Sequence, residues 1–197
     1  MTPPLPASPL ITRVASGATW YRCHWRDRAA PYFNRAAFGS RFNSTSGDFG
    51  TLYLAESIEG AFVEGLVYDV TLKGGPARVV SDELLRNKVL SVIAFPTALR
   101  LLDLTGRGLA LAERDLRLLS CPHTESCPFA EQVFAHADAY DGIRYPSRHN
   151  PTLSCVALFE RPREAPEVVL LGSWLSANLL SKSRSLMTRY QITRAST

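Results

Sequence analysis

Residues 39–64 read GSRFNSTSGDFGTLYLAESIEGAFVE and decide the fold. The pattern predicts a polar, glycine-bearing loop, a short strand over residues 52–55 and a helix beyond it. The stretch delivers Arg41 from the loop, Tyr53 from the strand and Glu64 from the helix. Loops carry function when a rigid scaffold positions them, and predicted elements flank this loop on both sides. These three residues are therefore candidates for a functional site.

The helix of this stretch is mostly apolar and carries a carboxylate. It reads SIEGAFVEGLVY from Ser57, a residue type preferred at the N-cap. Apolar residues lie on two of its faces, so Glu64 has a largely apolar environment, which is costly for a carboxylate without a partner. Gly60 lies one turn before Glu64 on the same face. Two interpretations stay open: Gly60 leaves room for a ligand beside Glu64, or Gly60 and Gly65 allow close helix packing. In the second interpretation Glu64 pairs with a structural arginine.

The composition is that of a globular protein. At 197 residues, with 46% hydrophobic and 20% charged residues, the chain is predicted to form one domain that follows a flexible arm over residues 1–18. No run approaches the length of a transmembrane helix, and the proline-bearing N-terminus lacks the apolar segment of a signal peptide. The four cysteines are too few and too scattered for a disulfide scaffold. We therefore expect a cytoplasmic protein without a membrane-spanning segment.

The net charge of +4 comes almost wholly from arginine, because the chain has only three lysines. Arginine suits bidentate recognition of phosphate and carboxylate groups. The arginines are dispersed and form no basic run, so direct nucleic-acid binding is not favoured.

Short strands and helices alternate irregularly along the rest of the chain. The aromatic run Thr19–Trp25 and the apolar run Ser154–Phe159 both predict strands. We predict helices over residues 109–119 and 131–139, separated by a polar loop over residues 121–129. Shorter predicted elements are strands at residues 68–72 and 190–192 and a short helix at residues 174–180. This arrangement predicts an α+β domain with a mixed sheet rather than a doubly wound fold.

Several common catalytic arrangements are missing from the sequence. Cys121, His123 and Cys127 lie close together, but zinc sites commonly use a Cys-x-x-Cys pair that this chain lacks. We therefore predict no metal site. The chain also has no G-x-S-x-G elbow, Walker loop or G-x-G-x-x-G turn, and Ser147 with His149 two residues on does not define a triad.

The candidates that remain form a chemically coherent set: Arg22, Arg41, Tyr53, Glu64 and Ser147. Two guanidinium groups could clamp a pyrophosphate, and a tyrosine ring could stack on a flat base. A carboxylate could stabilise an oxocarbenium-like ribosyl centre or hold a ribose hydroxyl, and a serine could orient the departing group. The set suits cleavage of an N-glycosidic bond in a dinucleotide whose leaving group needs no protonation. The residue pattern alone leaves other chemistries open.

The sequence resembles the RES-domain family, named for an Arg, a Glu and a Ser, in five segments that stand in the family's order. They are Tyr21 with Arg22, residues 39–43, residues 50–57, Ala61 with Glu64, and residues 140–147 followed by the strand that ends at Phe159. The resemblance identifies the family's three name-giving residues as Arg22, Glu64 and Ser147. It identifies the second arginine as Arg41 and the active-site tyrosine as Tyr53.

The resemblance implies a single domain with a mixed, split sheet, similar to ADP-ribosyltransferases and diphtheria-type toxins. It implies NAD⁺ as a substrate, no further cofactor, and an NAD⁺ glycohydrolase or phosphorylase. Many members are toxins of toxin–antitoxin pairs, and their usual partner is an Xre-type antitoxin that plugs the active site, often in a hetero-oligomer. Two alternatives stay open: an ADP-ribosyltransferase that modifies a macromolecule, and a non-enzymatic module that binds NAD⁺ or ADP-ribose.

The resemblance also implies a role for each candidate residue. Arg22 and Arg41 would bind phosphate and ribose, and Tyr53 would stack on nicotinamide. Glu64 would stabilise the ribosyl cation, and Ser147 would position the nicotinamide ribose.

Two features depart from the family pattern. Cys23 follows Arg22 where some members carry a tyrosine, and residues 121–129 form an insertion without a counterpart. The chain also extends well past the last matched strand. We predict a RES-type catalytic domain over residues 19–197, and we expect these departures to affect the partner and regulation more than the chemistry.

Overall fold

The computed structural model describes residues 4–6, 9–67 and 78–195. The strands are β1 (Ile11–Val14), β2 (Thr19–Trp25), β3 (Thr51–Ala55), β4 (Val79–Ser81), β5 (Lys88–Ala94), β6 (Leu99–Asp103), β7 (Gly142–Pro146), β8 (Ser154–Phe159), β9 (Glu167–Ser173) and β10 (Thr193–Ala195). The α-helices are α1 (Ile58–Phe62), α2 (Asp82–Asn87), α3 (Gly108–Leu111), α4 (His123–Ala135) and α5 (Leu180–Arg189). A π-helical segment (Val63–Val67) continues α1, and a 3₁₀ helix spans Leu116–Leu119.

The main sheet has eight strands in the order β1-β6-β7-β8-β3-β2-β5-β9, and a separate parallel pair joins β10 to β4. Among the described strands of the main sheet, β6 and β7 pair in parallel and the other neighbours pair antiparallel. Strands β3 and β2 meet at a single residue pair, Ala55 with Tyr21, whereas β2 pairs with β5 along its whole length. The sheet is thus split between β3 and β2, and the predicted α+β fold with a mixed, split sheet is confirmed.

The centre of the sheet is held by apolar strands that are buried on both faces. Five of the six residues of β8 are buried, as its uninterrupted apolar run predicts. One face carries the larger core, in which the rings of Phe62 and Trp174 meet edge to face. The opposite face carries a smaller core that includes Trp20 and Leu52. Removal of this apolar surface from water is the main stabilising contribution to the fold.

Ser57 is the N-cap of the central helix, as the sequence predicts. Its hydroxyl accepts a hydrogen bond from the Gly60 backbone amide at 3.0 Å. A side-chain carbon at Gly60 would lie 2.9 Å from the Ala55 side chain, and one at Gly65 would clash with Cys23 of β2. Both glycines therefore allow the helix to approach the sheet closely. The packing interpretation is confirmed for them, and the interpretation that Gly60 leaves room for a ligand is wrong.

The N-terminal prediction needs correction. Residues 1–18 were expected to form a flexible arm, but Ile11–Val14 pair antiparallel with β6 at one edge of the sheet. The Thr12 hydroxyl also donates to the Asp103 carboxylate. Prolines disfavour helix in this segment, but they do not prevent an edge strand that begins two residues after Pro9.

The predicted loop over residues 121–129 is also wrong, because most of it lies in α4, which contains Pro128. Proline removes one backbone hydrogen bond from a helix, and burial of Phe129, Ala130 and Val133 on the core offsets that loss. Of the helix predicted over residues 131–139, residues 131–135 form the second part of α4, which ends at Ala135.

Two other helices differ in position or extent from those predicted. The helix predicted over residues 109–119 divides into α3 and the 3₁₀ helix, and Glu113 between them has a positive φ of 52°. The helix predicted over residues 174–180 lies later, at α5, and the last strand is β10 rather than residues 190–192. The strand predicted at residues 68–72 lies outside the described residues. In the part of the chain that the structure describes, no helix has the length and apolar character to cross a membrane.

Candidate functional site

A cavity of about 290 Å³ opens where the sheet is split. Its walls come from β2 and β3 on the two sides of the split, from the π-helical segment above them, and from the loops that precede β3 and follow β7. The lining residues are Tyr21, Arg22, Cys23, Gly39, Ser40, Arg41, Tyr53, Leu54, Ala55, Ala61, Glu64, Gly65, Leu119, His123, Tyr145, Pro146, Arg148 and His149. Four of the five residues predicted from sequence are among them.

The fifth predicted residue, Ser147, lies directly behind the cavity wall. Its side chain is only 1% exposed, and its hydroxyl donates to Oε1 of Glu64 at 2.5 Å. The structure therefore brings all five predicted residues together, although 83 positions separate Ser147 from Glu64.

Glu64 occupies the π-helical segment, and this position turns it towards the cavity. Val63, Leu66 and Val67 of the same segment are buried, whereas Glu64 and Gly65 line the cavity. Segments with π-helical hydrogen bonding are rare and frequently occur at functional sites. The wider turn changes the phase of the helix, so the regular 3.6-residue pattern does not place these side chains correctly.

The Glu64 carboxylate lies in a partly desolvated position. Burial raises the pKa of Glu64, and the hydrogen bond from Ser147 and the charges of Arg148 and Arg41 oppose that rise without cancelling it. Glu64 is thus a half-buried carboxylate with few hydrogen-bond donors and two arginines nearby. Such a group can interact strongly with a positive charge that forms beside it.

The hydroxyl of Ser147 is fully engaged by its neighbours. It accepts hydrogen bonds from the backbone amides of His149 (3.2 Å) and Asn150 (3.4 Å), so its single proton is directed to Glu64. The role predicted for Ser147, to position the nicotinamide ribose, stays a prediction. Any effect of Ser147 on a ligand would pass through Glu64.

Arg41 is oriented by two backbone carbonyls. Its Nη1 donates to the oxygens of Leu118 (3.2 Å), in the 3₁₀ helix, and Cys121 (3.0 Å), two residues before α4 begins. This leaves the rest of the guanidinium at the cavity wall.

The cysteines and histidine considered as zinc ligands hold the Arg41 loop instead. The Cys127 thiol donates to the Ser40 carbonyl at 3.3 Å, and Nδ1 of His123 donates to the Phe38 carbonyl at 2.8 Å. Within residues 4–6, 9–67 and 78–195, no group of three or more His, Cys, Asp or Glu side chains is arranged to hold a metal ion. The insertion at residues 121–129 therefore supports the loop that carries Arg41.

Tyr53 is fixed through its hydroxyl, which accepts from the Phe42 amide at 2.9 Å and donates to Oδ1 of Asn43 at 3.0 Å. Burial raises the pKa of Tyr53, so the side chain remains a neutral phenol. Its ring contributes to the cavity wall. Tyr53 therefore joins the strand to the loop and presents an aromatic surface.

Arg22 enters the cavity from the other side of the split. Its Nη1 donates to the carbonyls of Ala30 and, at 3.3 Å, Tyr32. Burial lowers the pKa of Arg22 to about 10, so the guanidinium still carries its charge at neutral pH. The cavity thus receives positive charge from both halves of the sheet.

Sequence reasoning missed several cavity residues, among them Arg148, His149 and Tyr145. Arg148 and His149 directly follow Ser147, so their position next to a predicted site residue was an available signal. The backbone amide of His149 donates to the Ser147 hydroxyl. Burial and the charge of Arg148, with a contribution from Arg78, lower the pKa of the His149 ring.

Comparisons with family models and with solved structures each found a match to this chain. The model of the RES domain matches residues 19–176. A search of the curated proteins found no match. Among solved structures, the chain is similar to a chain in the crystal structure of the M. tuberculosis MbcT–MbcA toxin–antitoxin complex, with a TM-score of 0.62 and 17% identity over 89% of this chain and 92% of that chain. At that identity the likeness demonstrates a shared fold.

Proposed function

The chain belongs to the RES-domain family, and from this premise we propose that it cleaves the nicotinamide–ribose bond of NAD⁺ and acts as the toxin of a toxin–antitoxin pair. The proposal depends on one observation above all. A partly desolvated carboxylate, Glu64, faces a cavity that also receives two arginines and a tyrosine ring.

The charge of the cavity supports a dinucleotide ligand. Arg22 and Arg41 lie on opposite sides of the split, and Arg148 adds a third guanidinium to the lining. Guanidinium groups bind phosphate oxygens in bidentate geometry. In the proposed complex Arg22 and Arg41 bind the phosphates and ribose, and the Tyr53 ring stacks on nicotinamide.

The proposed reaction breaks the bond between C1′ of ribose and the ring nitrogen of nicotinamide. The electron pair of that bond leaves with the nitrogen, so the pyridinium becomes neutral nicotinamide and needs no proton. Positive charge develops at C1′ and the ring oxygen, and the Glu64 carboxylate stabilises it. Ser147 keeps Glu64 oriented and ionised through its hydrogen bond.

The reaction ends when an acceptor oxygen bonds to C1′ and gives up its proton. Water as the acceptor yields ADP-ribose, whereas inorganic phosphate yields a phosphorylated ADP-ribose. A hydroxyl or other group of a macromolecule would instead become ADP-ribosylated. These three acceptors distinguish a glycohydrolase, a phosphorylase and a transferase.

The proposed partner is an antitoxin protein of the Xre type that blocks the cavity in a cytoplasmic hetero-oligomer. The solved complex to which this fold is similar is a toxin–antitoxin assembly, which makes such a partner the first to test. Coexpression with the product of the adjacent gene should give a stable complex in which NAD⁺ turnover is suppressed. A neighbour that neither binds nor inhibits would contradict the partner proposal.

The decisive experiment is NAD⁺ consumption by the purified protein, with and without phosphate, with the products resolved by chromatography. We expect free nicotinamide, and the second product identifies the acceptor. Labelled NAD⁺ added to cell extract tests transfer to a macromolecule. Ligand-induced thermal stabilisation without any nicotinamide release would support the binding-module hypothesis and overturn the enzymatic one.

A further inference from the structure

The C-terminal segment reaches the back of the Glu64–Ser147 pair through one tyrosine. The hydroxyl of Tyr190, which directly follows α5, donates to Oε1 of Glu59 at 2.8 Å and accepts from Nδ2 of Asn150 at 2.8 Å. Glu59 belongs to α1, five positions before Glu64, and Asn150 lies three positions after Ser147. One hydroxyl thus joins the helix that carries the carboxylate to the turn that carries the serine.

The Asn150 side of this bridge bears directly on Ser147. The backbone amide of Asn150 is one of the two donors to the Ser147 hydroxyl. The backbone carbonyl of Asn150 accepts from the Leu153 amide at 2.9 Å. Ser147 in turn donates its own amide to the Leu153 carbonyl at 2.9 Å. Movement of Asn150 would therefore change the direction of the Ser147 hydroxyl.

The Glu59 side of the bridge is equally constrained. Arg189 donates to Oε2 of Glu59 at 2.6 Å, so both carboxylate oxygens bind the C-terminal segment. Burial would raise the pKa of Glu59, but the bonds from Tyr190 and Arg189 outweigh it and the pKa falls below its usual range. The Tyr190 ring also packs 6.2 Å from the ring of Phe62, next to the π-helical segment.

We propose that Tyr190 is a positioning residue for the Glu64–Ser147 pair, because its hydroxyl sets the spacing between α1 and the turn after β7. Tyr190 lies beyond the residues that match the RES-domain model, which end at 176. The C-terminal segment of this chain therefore contributes to the site without entering the cavity. The kinetic part of this inference rests on the proposed function, whereas its effect on the carboxyl group does not.

The pKa of Glu64 is a suitable readout because its charged and titratable neighbours are known. Arg41 and Arg148 approach it from the loops before β3 and after β7. Burial raises the pKa values of Tyr145 and Cys155 in the sheet, and the charge of Glu64 raises them further. The Tyr190 hydroxyl acts on this set through Glu59 and Asn150, to which it is hydrogen-bonded. A change in the pKa of Glu64 on loss of the Tyr190 hydroxyl would therefore report the Ser147 hydrogen bond.

The test is Tyr190→Phe, which removes the hydroxyl and keeps the ring. We expect the Glu64 carboxyl pKa, followed by NMR in ¹³C-glutamate-labelled protein, to rise because the donor from Ser147 is less well aligned. In the active enzyme kcat for nicotinamide release should fall about 5–20-fold, with KM changed less than about twofold, as expected for one bridging hydrogen bond. Asn150→Ala, which removes the other half of the bridge, should act in the same direction.

Tyr140→Phe is the matched control, since that hydroxyl also donates to a carboxylate, Asp138, but away from the cavity. It should leave the pKa of Glu64 and kcat unchanged. In a Ser147→Ala background, Tyr190→Phe should lower kcat by less than about twofold, because the residue through which it acts is absent.

An unchanged Glu64 pKa in Tyr190→Phe, or full additivity with Ser147→Ala, would overturn the positioning role. A wild-type protein that releases no nicotinamide would overturn the proposed reaction instead. In that case the NMR titration would still decide whether Tyr190 positions the pair.

Discussion

Two carboxylates near β7, the half-buried Glu64 and the buried Asp103, have pKa values shifted in opposite directions. Asp103 is 3% exposed and accepts hydrogen bonds from Thr12, from the amide and hydroxyl of Thr105, and from Arg144 at 3.0 Å. Burial would raise its pKa, but these donors outweigh burial and the pKa falls below its usual range. Arg144 also pairs with Glu56, so this cluster is an extended network that joins β1, β6, β7 and the start of the central helix.

Burial also raises the pKa of Glu64, and because Glu64 has fewer hydrogen-bond donors than Asp103 the rise is not cancelled. The difference in pKa indicates which of the two carboxylates can take part in a reaction. A carboxylate whose oxygens are saturated by donors stabilises the fold, whereas an under-bonded one facing a cavity can stabilise a new positive charge. The following experiments test whether Glu64 contributes to catalysis and Asp103 to stability.

The largest effect is expected from Glu64→Gln, which keeps the shape and removes the charge. The value of kcat/KM for nicotinamide release should fall at least about 10²–10³-fold, the usual loss when one electrostatic contact to a transition state is removed. The free energy of unfolding should stay the same or rise slightly, because the variant no longer buries a charge. Glu83→Gln, on an exposed glutamate of α2, serves as the control and should behave as wild type. Full activity in Glu64→Gln would remove Glu64 from the mechanism.

Asp103→Asn should have the opposite outcome. We expect the free energy of unfolding in urea to fall by about 2–4 kcal/mol at neutral pH, because Arg144 loses a buried charged partner. The rate per folded molecule should be unchanged. Since the pKa of Asp103 is lower in the folded state, its contribution is present above the unfolded pKa and is lost as pH falls through the folded pKa. The stability gap between the two proteins should therefore close in acid, and a gap independent of pH would refute this account of Asp103.

Ser147→Ala removes the hydroxyl that donates to Glu64. We expect kcat to fall about 10–30-fold, and the acid limb of the pH–rate profile to move to higher pH, because the lost hydrogen bond had lowered the pKa of Glu64. Activity requires the carboxylate form, so the variant should lose its activity at a higher pH than wild type does. A lower rate with an unshifted acid limb would mean that Ser147 acts on the ligand by another route.

The smallest effect is expected from Tyr53→Phe. The ring remains, but the loop before β3 loses the hydroxyl that contacts Phe42 and Asn43, and Arg41 precedes those residues. We expect KM for NAD⁺ to rise about 3–5-fold with kcat nearly unchanged, as for the loss of about 1 kcal/mol of loop anchoring. Steady-state kinetics separate the two constants, and a fall in kcat alone would place the phenol in the chemical step.

Local sequence signals predicted the parts of the fold that depend on neighbouring residues. The apolar run of β8, the aromatic run of β2 and the Ser57 N-cap were all confirmed. Glu64 could be selected from sequence because a carboxylate in an apolar helix is unfavourable unless it has a partner. Its hydrogen bond with Ser147 was not predicted, since no spacing rule connects residues 83 positions apart.

The features that sequence reasoning missed depend on tertiary contacts. The π-helical segment forms where the helix lies on β2 at Gly65, and a regular helical period does not predict it. Helix α4 contains Pro128 and polar residues that indicated a loop, but its buried side and its bonds to the Arg41 loop override that local preference. Tyr190 carried no signal because both of its partners are distant in the chain.

The most direct test is to follow nicotinamide release from NAD⁺ by wild type, Glu64→Gln and Asp103→Asn at equal concentrations of folded protein. The account predicts release by wild type and by Asp103→Asn at similar rates, and almost none by Glu64→Gln. Equal rates for wild type and Glu64→Gln, or loss of activity in Asp103→Asn with Glu64→Gln still active, would contradict it.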